Sequence, residues 1–177
     1  ITIHPTTHNN NIKKEMYILI KCLSKINTQF IITYPNNDPE SKVIINLFKK
    51  FIRNINNNNK KKKGVFVKSL GNIRYLSLMK KCKFLIGNSS SAIIESPTFY
   101  TPVINLGDRQ KGRIMSPNIK NCKFNENEID YNIKIILDKK NVKNKKFINP
   151  YYMKNTSTNI IKFIKKIYDT KSIETIF

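Results

Sequence analysis

The chain has 177 residues, a formal net charge of +22, 40% hydrophobic residues and 10% aromatic residues. This length suffices for one well-buried domain and is short for two, and the apolar content excludes a wholly disordered chain. No apolar stretch approaches the roughly 20 residues that a membrane-spanning helix needs, so we expect no membrane partner.

The positive charge has two interpretations. A basic surface can neutralise the phosphates of a nucleic acid or of an anionic membrane. The lysines, however, are spread over every segment, and their one run, Lys60 to Lys63, follows Asn56 to Asn59 as in a solvated loop. No basic strand interleaved with aromatic residues and no recognition helix accompanies them. We therefore interpret the charge as a bias of composition and expect no nucleic-acid partner.

The first residue, Ile1, is not Met and already belongs to an apolar run, so we expect the sequence to begin inside a larger protein. Cys22, Cys82 and Cys122 are far apart and form no C-x-x-C pair. This spacing favours reduced thiols and the cytoplasm over a disulfide or zinc framework. We expect no metal and no other cofactor.

Strand-like apolar runs alternate with segments of helical periodicity along the chain. The strands are predicted at residues 1–3, 30–34, 64–67, 84–86 and 103–106, and helices follow the first four of them. Asp38 is predicted to cap the second helix, with Pro39 at its first position. Beyond Arg113 the pattern predicts a short strand within 118–124, a helix at 129–137, a break at 141–149 and a last helix at 155–168.

This alternation predicts an α/β fold with a parallel sheet covered by helices on both faces. Ligands of such sheets bind at the carboxyl ends of the strands, beside the point where the strand order reverses. Polar segments follow the predicted strands at this edge: His4, Asn36 to Asp38, Ser69 to Leu70, Asn88 to Ser91 and Gly107 to Arg113.

The stretch from Phe84 to Arg113 contains the strongest local pattern. A strand ends in Gly87-Asn88, three serines open a helical turn, and a second strand ends in the basic loop from Gly107 to Arg113. Backbone N–H groups and hydroxyls at a helix start hold phosphate oxygens, and a fixed guanidinium neutralises their charge. The pattern predicts a pocket for a nucleoside diphosphate.

The motifs G-N-S-S-S-x-I-I-E at residues 87–95 and P-V-I-N-L-G-x-R-Q-x-G-R at residues 102–113 resemble the C-terminal domain of hydrolysing UDP-N-acetylglucosamine 2-epimerases. H-P-T-T at residues 4–7 and Y-P-N-N-D at residues 34–38 match the same family in order and spacing. The resemblance covers nearly the whole chain. Ala92 stands where the family commonly has glycine, a change that a helix tolerates.

The resemblance implies the C-terminal half of a two-domain fold of the glycosyltransferase-B type. Residues 1–154 would form a Rossmann-like nucleotide-binding domain, and a helix in residues 155–177 would cross back to an N-terminal domain that this chain lacks. The family converts UDP-N-acetylglucosamine and water into UDP and N-acetylmannosamine, which leads to sialic acids. Close relatives act on a UDP-diacetamido sugar on the way to legionaminic acid. The acid/base carboxylates would lie in the other half, and the full-length protein would be a homo-oligomer.

The resemblance also implies roles for individual residues. Ser89 and Ser90 would bind the diphosphate; the alternative is that Ser91 or a neighbour is only a helix cap, although capping and phosphate binding are compatible. Glu95 would accept hydrogen bonds from the ribose hydroxyls, or would merely stabilise a helix dipole. Both alternatives remain open at this point.

The remaining roles fall on the neighbouring loops. Arg109 would face the phosphates, the alternative being an exposed loop arginine. His4 is the one catalytic candidate, contacting phosphate or sugar and assisting the leaving group, the alternative being a capping histidine before proline. Asn36 would reach the uridine or sugar, and the backbone of Leu70 would meet the uracil ring.

Two other enzyme classes share this architecture. A retaining glycosyltransferase would also use a glutamate on the ribose and basic residues on the diphosphate, and fold analogy alone does not separate the two. A non-hydrolysing 2-epimerase has a different motif around the serines. The spacing of Gly107, Arg109, Gln110, Gly112 and Arg113 favours the hydrolysing epimerase.

Overall fold

The fold is built on a parallel β-sheet, seen in a computed structural model that describes residues 1–6, 11–138 and 147–169. Its strands are β1 (Phe30–Thr33), β2 (Gly64–Val67), β3 (Leu85–Gly87), β4 (Val103–Leu106) and β5 (Ile119–Cys122). β1 pairs in parallel with β2, and β4 pairs in parallel with both β3 and β5. The strands predicted at residues 30–34, 64–67, 84–86, 103–106 and within 118–124 are therefore confirmed, whereas residues 1–3 form only isolated bridges.

Residues 1–3 join the two groups of strands into one sheet. Thr2 bridges in parallel to Thr33 of β1 and to Gly87 of β3. The backbone N–H of Thr33 donates to the Ile1 carbonyl at 3.0 Å, and that of Asn88 donates to the Thr2 carbonyl at 3.1 Å. The order across the sheet is β2, β1, residues 1–3, β3, β4, β5, which is the doubly wound Rossmann order. The order reverses between residues 1–3 and β3.

Helices alternate with these strands, as the periodicity predicts. They are α1 (Ile12–Ser24), α2 (Ser41–Asn57), α3 (Gly71–Lys81), α4 (Ser90–Ile94), α5 (Glu126–Leu137) and α6 (Thr156–Asp169), with a 3-10 turn at Ser96–Phe99. α1 packs against both α2 and α5. No helix in the described parts of the chain is both long and apolar enough to cross a membrane.

Both faces of the sheet are covered. Ile104 of β4 belongs to the larger core, together with Phe48 of α2 and Leu19 of α1. Its neighbour Val103 belongs to a second core, formed with Ile93 of α4. Because successive strand residues point to opposite faces, the two cores lie on opposite sides of the sheet. The predicted α/β fold with helices on both faces is confirmed.

One local prediction is wrong. α2 begins at Ser41, and the residue before it, Glu40, has a left-handed φ of 67°. Asp38 does not cap the helix with its side chain. Instead the Ser41 hydroxyl donates to the carbonyls of Asn36 at 2.5 Å and Asp38 at 2.6 Å, which holds residues 36–41 as a turn ahead of the helix.

The last helix is present but its apolar side chains are exposed. Ile160, Ile161, Phe163, Ile164 and Tyr168 of α6 are between 53% and 75% exposed. Residues 139–146, on which most of the predicted break falls, and residues 170–177 of the predicted C-terminal helix lie outside the described residues, as does Thr7.

Candidate functional site

A cleft of about 1030 Å³ opens at the carboxyl edge of the sheet. Its lining comes from segments that follow the strands: Pro5 and Thr6 after residues 1–3, Asn88 after β3, and Gly107 to Arg109 after β4. The cleft therefore lies beside the reversal of the strand order, where ligands of doubly wound sheets bind. Its charged lining is mixed, since Lys14 and Arg109 lie alongside acidic side chains that include Asp38 and Asp108.

His4 and Asn88 hold each other across this reversal point. The His4 backbone N–H donates to Asn88 Oδ1 at 2.7 Å, and Asn88 Nδ2 donates to the His4 carbonyl at 2.8 Å. Both residues are buried, with His4 7% and Asn88 2% exposed. The amide of Asn88 thus satisfies both backbone groups of a residue 84 positions away in the chain.

The His4 imidazole is fixed by the loop after β1. The backbone N–H of Asn36 donates to His4 Nδ1 at 3.1 Å, so Nδ1 is an acceptor and the ring proton of the neutral form is on Nε2. Burial lowers the pKa of His4, and the positive charge of Arg109 lowers it further, while Asp38 opposes the shift. At neutral pH His4 is therefore a neutral donor through Nε2 and not a cation.

Arg109 and Gln110 converge on the carbonyl of Asn88. Arg109 Nη1 donates to this oxygen at 3.2 Å, and Gln110 Nε2 donates to it at 2.8 Å. Gln110 is buried, and its Oε1 has no hydrogen-bond partner among the described residues. These bonds hold the basic loop against Asn88, which directly precedes the serine turn (Ser89 to Ser91), and bring the guanidinium of Arg109 to the edge of the cleft.

The serines of the turn have different surroundings. Ser89 is at the N-cap position of α4, but no side chain caps this helix. The hydroxyl of Ser91 is 2.7 Å from the Tyr75 hydroxyl and 3.1 Å from that of Ser89. Ser90 makes no side-chain hydrogen bond with the described residues. Ser89 thus occupies the cap position without making a side-chain cap bond, and the Ser90 hydroxyl is available to a ligand.

Glu95 ends α4 and is half-buried. Its carboxylate forms no hydrogen bond or ion pair with any residue that the structure describes. Burial raises its pKa, because desolvation disfavours the charged form and nothing nearby compensates. Glu95 lies at the C-terminus of α4 and directly precedes the 3-10 turn at Ser96–Phe99, so the dipole that it could stabilise is that of the short turn and not that of α4.

The structure brings part of the predicted set together. His4, Asn36 and Arg109 meet around Asn88, and Ser89 directly follows Asn88 in the chain. No hydrogen bond within the described residues connects Ser90, Glu95 or Leu70 to this group. Leu70 does follow β2 and precede α3, at the same edge of the sheet.

Some structural contributors were not among the predicted site residues. Asn88, Gln110 and Tyr75 hold the His4 loop, the basic loop and the serine turn, respectively. Asn88 and Gln110 belong to the sequence motifs. Asn88 is a polar residue at the end of an apolar strand and Gln110 is an uncharged polar residue in a basic loop, and these patterns could have marked them as candidates. Nothing in the sequence marks Tyr75, because an aromatic residue in a segment of helical periodicity is normally predicted to belong to the core. No cluster of His, Cys, Asp or Glu in the described segments could hold a metal ion.

A family model described as UDP-N-acetylglucosamine 2-epimerase matches residues 1–165, nearly the whole chain. The chain belongs to the UDP-N-acetylglucosamine 2-epimerase family. It corresponds to the C-terminal half of these proteins. The resemblance carried by the serine and basic-loop motifs is thereby confirmed.

Two curated relatives illustrate the similarity. The GDP/UDP-N,N'-diacetylbacillosamine 2-epimerase (hydrolyzing) of Campylobacter jejuni is 43% identical over 71% of this chain and 32% of its own length. The polysialic acid biosynthesis protein P7 of Escherichia coli is 30% identical over 97% of this chain and 43% of its own length. The chain thus spans less than half of the curated relatives that it matches.

Solved structures of epimerases share the fold. The S. aureus MnaA–UDP complex superimposes with a TM-score of 0.70 at 17% identity, over 95% of this chain and 44% of that one. The UDP-GlcNAc 2-epimerase of Methanocaldococcus jannaschii gives a TM-score of 0.66 at 16% identity, over 93% of this chain and 45% of that one. These structures have the glycosyltransferase-B fold, and the chain matches slightly less than half of each.

Proposed function

We propose that this chain is the UDP-binding half of a hydrolysing UDP-N-acetylglucosamine 2-epimerase, or of a relative that acts on another UDP-amino-sugar. One observation carries the proposal. In a chain of the epimerase family, His4, Asn88 and Arg109 are locked together at the reversal point of the sheet, beside a large cleft.

The chemistry of these groups suits a diphosphate leaving group. In the reaction implied by the family, the C2 proton is removed, UDP is expelled, and water adds to the resulting glycal. The Arg109 guanidinium would neutralise phosphate charge, and the Nε2–H of neutral His4 would donate to an oxygen on which charge develops. Ser89 and Ser90 would add hydroxyl donors, Glu95 would accept from the ribose, and Asn36 and the Leu70 backbone would meet the sugar or the base.

The sugar is the less defined part of the substrate. The Campylobacter jejuni relative, whose name specifies diacetylbacillosamine, is 43% identical, whereas a Neisseria meningitidis UDP-N-acetylglucosamine 2-epimerase is 29% identical. The identity to the Campylobacter relative makes a UDP-linked 2,4-diacetamido sugar the first substrate to test. UDP-N-acetylglucosamine is tested beside it, because a Legionella pneumophila enzyme named for the diacetamido sugar is only 26% identical. Both would serve the synthesis of sialic-type or legionaminic-type acids.

The acid/base carboxylates would come from an N-terminal domain that this chain does not contain. The exposed apolar side chains of α6 support a contact between this helix and that domain. We also propose that the full-length protein is a homo-oligomer of the cytoplasm. Free thiols at Cys22, Cys82 and Cys122 support the reducing compartment.

Titration calorimetry of the chain with UDP tests the proposed function. We expect UDP to bind and UMP, which lacks one phosphate, to bind more weakly, with no turnover of any UDP-sugar. GDP is a useful third ligand, because the name of the Campylobacter relative includes both nucleotides. A folded sample that fails to bind UDP at millimolar concentration would contradict the proposal.

A retaining glycosyltransferase is the main alternative, and a non-hydrolysing epimerase is the second. In the full-length protein, release of free UDP together with a 2-epimerised sugar indicates the hydrolysing reaction. A transferase would need an acceptor other than water, and a non-hydrolysing epimerase would leave UDP attached to the sugar.

A further inference from the structure

Asn88 uses its backbone and side chain to bond both the first residues of the chain and the basic loop at the reversal point. Its N–H donates to the Thr2 carbonyl at 3.1 Å, and its side-chain amide holds both the N–H and the carbonyl of His4. Its own carbonyl accepts from Arg109 and Gln110. Asn88 lines the cleft but is only 2% exposed, and its N–H, its carbonyl and its side-chain amide are all engaged within the chain.

His4 and Arg109 are both bonded to Asn88, through different parts of that residue. His4 and Arg109 interact electrostatically, since the charge of Arg109 lowers the pKa of His4. No hydrogen bond joins their side chains within the described residues. Asn88 therefore links the two residues: its side chain holds the backbone of His4, whose ring is oriented by Asn36, and its carbonyl accepts from Arg109.

We propose that Asn88 is a positioning residue that sets the neutral His4 donor and the Arg109 cation at a fixed separation for the diphosphate. The inference rests on the proposed function and extends it to a residue with no expected ligand contact. Two donors aimed at one diphosphate gain affinity only when their spacing is fixed before binding, because ordering them on binding costs conformational entropy.

Removing the Asn88 amide should free the His4 backbone and thereby change the surroundings of the His4 imidazole. In Asn88→Ala the N–H and carbonyl of His4 lose their partners, and a buried backbone group without a partner is costly. The segment after residue 3 would then shift toward solvent, and the imidazole would leave both its buried site and the field of Arg109. The pKa of His4 should therefore rise toward its ordinary value, and UDP affinity should fall about tenfold or more.

The chain provides a matched control in Asn118, at the opposite edge of the sheet. Asn118 precedes β5, and its Nδ2 donates to Ser96 Oγ at 2.8 Å and to the Thr101 carbonyl at 2.7 Å. Like Asn88, it bridges separate segments through its amide. Asn118→Ala should lower the melting temperature while leaving the His4 pKa and UDP affinity unchanged.

The experiment combines an NMR titration of histidine with calorimetry on the whole chain. The chain has two histidines, and a His8→Gln background leaves His4 as the single imidazole signal. Asn88→Thr provides a second variant of nearly equal volume. It adds no charge beside the imidazole, and its shorter side chain cannot bridge both the N–H and the carbonyl of His4, so it remains informative if Asn88→Ala fails to fold.

A raised His4 pKa and weakened UDP binding in the Asn88 variants, with neither change in Asn118→Ala, is the expected result. Folded Asn88 variants that keep both the His4 pKa and the UDP affinity would overturn the inference. An unsubstituted chain that does not bind UDP would overturn the proposed function. The His4 pKa comparison would still decide whether Asn88 positions His4.

Discussion

At the scale of single residues, the hydroxyls of the serine turn differ in whether they are hydrogen-bonded within the chain. Ser91 is engaged by Tyr75, whereas Ser90 has no hydrogen-bond partner among the described residues. We predict that Ser90→Ala weakens UDP binding by about 1–3 kcal/mol, the usual loss for a hydrogen bond to a charged group. Calorimetric titration of UDP measures this loss.

The control for Ser90 is Ser24→Ala. Ser24 is exposed on α1, and its hydroxyl donates at 2.8 Å to the Ile20 carbonyl, one turn back in the same helix. This substitution removes the same atom at the far end of a helix, so UDP affinity should not change. Equal affinities for the Ser90 and Ser24 variants would remove Ser90 from the diphosphate site.

The Glu95 carboxylate is expected to lower the stability of the fold while contributing to UDP binding. Its pKa is raised by burial, so the folded state binds a proton more tightly than the unfolded chain does. Its contribution to stability is therefore present below the ordinary glutamate pKa of about 4.3 and is lost as pH rises through the folded-state pKa. At pH 7 the ionised group destabilises the fold.

We predict that Glu95→Gln raises the melting temperature at pH 7 and that this gain disappears near pH 4. The same substitution should weaken UDP binding by about 1 kcal/mol or more, because an amide is a poorer acceptor for ribose hydroxyls than a carboxylate. Thermal melts at both pH values and a UDP titration measure the two effects. A variant that gains stability and keeps full affinity would argue against the ribose role.

At the scale of elements, the sheet depends on one glycine at the end of β3. Gly87 has a φ of +152°, and a Cβ placed there would lie 1.9 Å from the Thr2 carbonyl oxygen. We predict that Gly87→Ala lowers the free energy of unfolding by about 1–3 kcal/mol more than a strained glycine elsewhere, because residues 1–3 must separate from β3. Urea denaturation measures the difference.

Gly112→Ala is the matched control for Gly87. Gly112 also has a positive φ, +86°, but a Cβ there would meet no atom within 4 Å. Its substitution should cost only the backbone strain, about 1–2 kcal/mol. Equal losses for the two variants would mean that the close approach of Thr2 contributes nothing beyond φ.

The helices and strands could be predicted from the sequence where apolar periodicity determines them. The contacts between individual residues could not be predicted. Alternating apolar runs predict β1 to β4 and the helices between them, because each must bury one face. The start of α2 was misplaced, since the hydroxyl of Ser41 reaches back to Asn36 and outweighs a preference of Asp38 for the cap. The clamp of Asn88 on His4 joins residues 84 positions apart, and no local pattern encodes such a contact.

At the scale of the molecule, α6 differs from the core helices in the exposure of its apolar side chains. Phe48 of α2 is fully buried in the larger core, whereas Phe163 of α6 is 65% exposed. Single exposed apolar residues such as Ile73 occur elsewhere, but α6 displays several along one helix. A longer protein with a second domain would provide a surface for α6 to cover.

This difference in burial predicts that a Phe→Ser substitution affects stability differently at the two positions. In the 177-residue chain, Phe163→Ser should change the free energy of unfolding by less than about 0.5 kcal/mol, as for exposed positions. Phe48→Ser should lower it by more than about 3 kcal/mol, because it leaves a cavity and a buried hydroxyl. In the full-length protein, Phe163→Ser should become destabilising by at least about 1 kcal/mol, because there the ring would be buried. Urea denaturation of both variants in both lengths of chain gives the comparison, and a Phe163 effect that is the same in the two lengths would contradict a contact between α6 and the second domain.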